Sequence, residues 1–180
     1  MKRRLRWLWF DFWYVITNYV IAKIPCWHLR KWYYQLCGMK IGKDARIMMK
    51  CTILDPGNIC IGDGTVINEY CYIDGRGGLC IGKSNNISVY SIILTASHDR
   101  RSNRFAFKKE PVIIGDYVWM GARAIILGDS LVKNKAIIAA GSVFKGESKE
   151  DTIYIGIPAE ERSKRGLEGE YDQQYRRFFR

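Results

Sequence analysis

"IGDGTVINEYCYIDGRGGLCIGKSNNISVYSIILTASHD", residues 61–99, repeats itself. Ile61, Ile67 and Ile73 stand six positions apart, and Ile81, Ile87 and Ile93 renew the series twenty residues later. A period of six fits neither the 3.6-residue turn of a helix nor the alternation of a plain strand. It fits a coil of three short strands joined by tight corners, each face turning one bulky side chain inward. The series extends outward in both directions. Ile41, Ile47 and Ile53 precede it; Ile114, Met120, Ile126 and then Val132, Ile138, Phe144 follow. Four positions after each slot comes a mostly small residue, such as Ala45, Cys51, Thr65, Cys71, Asn85, Ser91, Ala124, Ala136 or Ser142, which suits a crowded corner. The expected fold is therefore all-β, a parallel β-helix of about five coils. The wide gap between Ile81 and Ile114 implies that one coil extrudes a loop, residues 99–111, with His98 as the last residue before it.

The chain has 180 residues, which suits one domain with a single core. Three segments are expected: a helical, amphipathic 1–38, the β-helix over 39–158, and a charged tail over 159–180 that ends in a short helix. The net charge is +11, and it is uneven. Residues 1–50 hold eleven Lys and Arg against Asp11 and Asp44. An anionic membrane surface or a phosphorylated ligand accounts for such an excess; nucleic acid ranks last because no motif for it is present. The first segment is rich in Trp, Phe, Tyr and Ile, but Asp11, Thr17, Asn18 and Lys23 break it too often for a membrane span. It reads as a helix packed on the body or lying in a membrane interface, helped by Lys2, Arg3, Arg4 and Arg6. None of the six cysteines forms a C-x-x-C pair, and no signal peptide is evident. Free thiols in the cytoplasm, at most at the inner face of the membrane, are the expectation. Cys51 and Cys71 share one small-residue slot on neighbouring coils, which reads as packing; no metal site is expected.

The repeat, together with "TASHD" (95–99), "PVIIGDYVWMGARAIIL" (111–127), "IIAAGSVFK" (137–145) and "IGIPAE" (155–160), resembles the hexapeptide-repeat acyltransferases, and among them the sugar O-acetyltransferases. The resemblance covers roughly residues 38–159. It implies a left-handed coil, against the usual crossover preference, and homotrimers with active sites between subunits. It implies acetyl-CoA as co-substrate and a saccharide as acceptor, with His98 as the catalytic base, a role that neutral imidazole suits near pH 7.

Further roles follow from the resemblance. Asn68, thirty residues before His98, would hold the acceptor. Asp74 could accept a sugar hydroxyl, and Asp99 could orient the imidazole. On the donor side Trp119 would wall the coenzyme channel, while Gly121, Ala122 and Ala140 would let its pantetheine arm approach the backbone. Lys145 and Arg162 would supply charge for its phosphates, because the family's usual Thr-Lys-Asp is here Lys145, Gly146, Glu147 and its usual basic residue after Pro-Ala is Glu160. The basic, aromatic stretch Arg100, Arg101, Arg104, Phe105, Phe107, Lys108 and Lys109 reads as a lid. Two other readings remain open: N-acylation of an amino sugar or small antibiotic-type molecule, and a trimeric scaffold without catalysis. Zinc-dependent β-helix enzymes are set aside, since two histidines in the chain cannot supply three ligands per site.

Overall fold

The computed structural model describes residues 2–170, with side chains from Leu8 onward. Strands of two or three residues stack in parallel on three faces. The first face runs through Ile41, Ile61, Ile81, Ile114 and Val132. The second runs through Ile47, Ile67, Ile87, Met120 and Ile138 and ends at Tyr154. The third runs through Ile53, Ile73, Ile93, Ile126 and Phe144. Five coils are complete, as the hexads predict. A sixth begins with a bridge at Glu147 and the strand Thr152–Gly156. All fifteen slots except half-buried Ile41 lie in the buried core, and together they make one continuous apolar column.

The corners explain the small residues. Asp44, Gly64, Ser84, Tyr117 and Lys135 turn one corner, and Lys50, Tyr70, Tyr90, Arg123 and Gly141 the next; every one has positive φ. Left-handed backbone turns the chain at these corners, at a cost of about 1–2 kcal/mol per non-glycine residue. The residue after each turn points into the column, where a large side chain has no space. Several of these residues also bond between coils. Thr65 Oγ1 donates to the Gly82 carbonyl and accepts from the Asn85 N–H. Asn85 in turn donates to the Gly115 carbonyl and accepts from the Val118 N–H. Cys51 and Cys71 donate to the carbonyls of Asn68 and Ser88. Burial pushes the Cys51 thiol up, which keeps it a donor. The slot therefore selects for small hydrogen-bonding groups as well as for size. Cys60 and Cys80 sit side by side on the first face.

A stacked coil leaves unpaired backbone at each end. The N-terminal segment closes the lower end. Helix α1 (Lys2–Val15) passes through a π-turn at Ile16–Val20 and a 3₁₀ turn at Ile21–Lys23, and α2 (Trp27–Leu36) follows. Asn18 accepts from the Ile53 N–H at 2.7 Å and donates to the Ile53 carbonyl at 3.0 Å, so one amide serves the free edge of the third face. The Ala22 carbonyl takes the Lys50 N–H, while Arg30 and Lys31 donate to the carbonyls of Ile47 and Gly42. Trp27, Tyr34 and Met39 cover the apolar column beneath. At the upper end Ala159–Lys164 folds back antiparallel on Thr152–Gly156. The expected helical tail thus begins as a strand, and residues 165–170 form no helix; the rest of that expectation lies outside the described residues.

Asn18→Ala removes both bonds to the open edge. We expect a stability loss of about 1–3 kcal/mol, read from urea or thermal unfolding midpoints. An unchanged midpoint would show that the apolar cap alone closes the coil.

Candidate active site

After Ile93 the chain leaves the coil as a β-hairpin. Ala96–His98 pairs antiparallel with Phe107–Lys109, and His98 faces Phe107 across it. The expected loop is therefore ordered at its root, and His98 stands on a strand end. Asp74 secures that root. It is fully buried, and its oxygens accept from Arg76 N, Nε and Nη2 and from the Thr95 N–H. Thr95 Oγ1 donates to the Asp74 carbonyl and accepts from the Gly77 N–H. The Thr95 carbonyl accepts the Glu110 N–H, joining the two hairpin legs. A Cβ on Gly77 would lie 1.7 Å from that carbonyl, so no other residue fits there. These bonds move Asp74 from the acceptor, where sequence placed it, to the support of His98. Arg76 continues the support: its guanidinium lies 5.7 Å above the Phe107 ring, which meets the His98 ring at 6.3 Å.

His98 is exposed, with Nδ1 2.8 Å from the Phe105 carbonyl oxygen. A carbonyl can only accept, so Nδ1 carries the hydrogen, and in the neutral ring Nε2 holds the lone pair. Phe105 has φ 50°, a conformation that bulky residues rarely adopt. That turn aims its carbonyl back at the imidazole, and its ring meets the His98 ring edge-on at 5.6 Å. The tautomer is thus set by a backbone group. Asp99, expected in that role, instead caps its own turn by accepting from the Arg101 N–H at 2.9 Å.

His98 opens onto a cleft of about 910 Å³ whose lining includes Ser97, Arg100, Arg101, Lys108, Glu110 and Lys145. Lys145, expected at the coenzyme phosphates, lies in this cleft. Glu110 is buried and pairs with Lys108 at 2.8 Å. The Lys108 ammonium, assisted by the Ser97 side chain, holds its carboxyl below the usual range against the opposing effect of burial. Lys108 also reaches Asp129 at 3.2 Å, which ties the hairpin to the next coil. Sequence reading missed Glu110, Thr95 and Arg76. Their only signal is position beside the departure point of the hairpin, and only folding brings them together.

The other expected residues lie on the second face or beyond it. Asn68 donates to Asn86 Oδ1 and the Ile87 carbonyl, and its own Oδ1 accepts from no group among the described residues. Trp119 is half exposed, and its indole N–H donates to Ser88 Oγ. Gly121 is required by the coil above it: a Cβ would lie 2.4 Å from the Ala140 nitrogen. Ala122 and Ala140 occupy matching positions on consecutive coils. Among the described residues their N–H groups donate to no protein acceptor. Arg162 is exposed on the outer strand Ala159–Lys164. On one chain, then, His98, Asp99 and Lys145 share a cleft, while Asn68, Trp119, Ala122 and Ala140 form a separate surface. Among the described residues no cluster of three or more His, Cys, Asp or Glu could hold a metal.

WcaF of Escherichia coli K12, assigned as a colanic acid biosynthesis acetyltransferase, is 26% identical over 136 residues, which cover 74% of this chain and 75% of that protein. The dTDP-4-amino-4,6-dideoxy-D-glucose acyltransferase of Escherichia coli is 29% identical over 162 residues, covering 71% and 84%. These relatives support a sugar acyltransferase of the hexapeptide-repeat type. The fold agrees: the hexapeptide-repeat acetyltransferase VCA0836 from Vibrio cholerae superposes with a TM-score of 0.77 at 23% identity, over 82% of this chain and 86% of that one. No family model matches the chain.

In this acyltransferase, the lowered carboxyl of Glu110 makes the hairpin anchor sensitive to acid. A depressed folded pKa contributes stability that is fully present above the ordinary carboxylate value, near 4.3. The contribution is lost as pH falls through the lowered value. Glu110→Gln is therefore expected to cost about 1–2 kcal/mol at neutral pH, with the gap to wild type closing in acid. Thermal melts across that range check it; a gap independent of pH would point to packing instead.

Proposed function

We propose that this acyltransferase moves an acetyl group from acetyl-CoA to a hydroxyl of a saccharide, with His98 as general base. The observation that carries the reading is the Nδ1–Phe105 bond, which leaves Nε2 as the lone-pair nitrogen at the mouth of an open cleft. When bound, acetyl-CoA supplies the acetyl group as an activated thioester. Nε2 takes the proton of the attacking hydroxyl, and the imidazolium returns it to the departing thiol. The Phe105 carbonyl holds the ring through both transfers, because Nδ1 keeps its hydrogen throughout.

The free Oδ1 of Asn68 suits a sugar hydroxyl as donor. The amides of Ala122 and Ala140, beside the Trp119 ring, suit the carbonyl-rich arm of the coenzyme. That surface and the His98 cleft lie apart on one chain. A homotrimer joins them, with the hairpin of one subunit facing the second face of its neighbour. The relatives support a sugar acceptor, since WcaF is assigned to colanic acid biosynthesis. A second reading has its own support: the Escherichia coli relative at 29% identity is named as the acyltransferase of an amino sugar. The same base serves an amine, so the two readings differ only in the acceptor.

His98→Ala is expected to lower acetyl transfer by about 10²–10⁴-fold while the oligomer and its melting midpoint stay as in wild type. Release of free coenzyme A in the presence of a panel of neutral and amino sugars reads both the rate and the acceptor class. Near-normal turnover in the variant would remove His98 from the mechanism, and turnover confined to amino sugars would replace O- by N-acylation.

A further inference from the structure

The N-terminal segment divides sharply. From Ile16 onward it docks: Thr17 and Ala22 are buried, and Asn18 is bonded to Ile53. The described part of α1 before it does not. Leu8, Trp9, Phe10 and Phe12 are 67%, 60%, 58% and 53% exposed, and Trp13, Tyr14 and Val15 are exposed as well. The rings of Trp9, Phe12 and Trp13 pack on one another at 5.4–6.4 Å. Trp13 meets the body at Tyr33 of α2, with centroids 6.5 Å apart. Trp32, Leu29 and Leu36 of α2 leave further apolar surface exposed at the same end of the coil. Water-facing aromatic surface of this extent is rare on a soluble body and marks a contact site.

We propose that α1 is an interfacial anchor that lies along an anionic lipid bilayer. Three observations choose this occupant. The aromatic run follows directly on Lys2, Arg3, Arg4 and Arg6, with Asp11 the only acid before Asp44. Trp and Tyr favour the headgroup level of a bilayer, and neighbouring cations add attraction to anionic lipids. Fourteen residues of helix span about 21 Å, short of the roughly 30 Å hydrocarbon core. Among the described residues no helix is long and apolar enough to cross a membrane. Such a helix lies in the plane of the interface. A second copy of α1 is a poorer partner, because pairing would bring two sets of four cations together.

The test is co-sedimentation of the full chain with vesicles of phosphatidylcholine plus phosphatidylglycerol, and with vesicles of phosphatidylcholine alone. Binding is expected to the anionic vesicles, weakening with salt. Trp9→Ser combined with Phe10→Ser and Phe12→Ser is expected to lower the bound fraction by about tenfold or more, with the melting midpoint kept. Spin-labelled lipid is expected to quench the tryptophan fluorescence of wild type and less that of the variant. Equal binding to both vesicle types, or equal binding by the variant, overturns the proposal. So does sedimentation velocity showing that the variant loses its oligomer, which would assign α1 to contacts between copies. Acetyl transfer to a soluble acceptor, measured in parallel without lipid, keeps this outcome separate from the assignment of His98.

Discussion

Backbone hydrogen bonding between successive coils is the constraint on which the rest depends. Each strand of the five complete coils has two or three residues, too few to stand alone. It persists because its N–H and C=O groups pair with the coil below and the coil above, while its inward side chain adds to the apolar column. Such a stack needs corners that turn within a residue, which is why left-handed backbone recurs at Lys50, Tyr70, Tyr90, Arg123 and Gly141. It also needs ends. Asn18 below and the strand Ala159–Lys164 above satisfy the edges that a repeating coil cannot satisfy for itself.

The proposed base stands where the stack is interrupted. Between Ile93 and Val112 the chain leaves the coil and returns, and the hairpin it forms projects a histidine from a rigid body. Asp74, buried within the coil, transmits that rigidity through Thr95 and Arg76. The strained turn at Phe105 converts it into a fixed imidazole tautomer. A stack of paired strands is a rigid base for a hydrogen bond that fixes a side chain. Lys108 and Glu110 tie the far leg of the hairpin to Asp129 and to the interior, so the projection is braced on both sides.

Charge is divided between the two ends of the same design. The N-terminal segment carries most of the net positive charge beside its aromatic helix. The cleft carries Arg100, Arg101 and Lys145 around His98. Apart from Lys145, these charges lie outside the repeat, which places no demand on residue type there.

Residue periodicity alone determined the architecture, because a bulky residue at every sixth position has one low-energy arrangement: three inward faces per coil. The places of His98, Asn68 and Trp119 were expected from motifs that resemble the family's; folding puts the first at a hairpin and the other two on the second face. The roles of Asp74, Asp99 and Gly121 were not legible. All three are decided by what folding brings close: Thr95 and Arg76 bond Asp74, its own turn bonds Asp99, and the Ala140 backbone leaves no room for a Cβ at Gly121. The tautomer of His98 likewise depends on a carbonyl seven residues away that only the hairpin carries back to it. Periodicity encodes where the chain must be buried; hydrogen-bond partners are set by the register of coils and hairpin, which only the tertiary structure supplies.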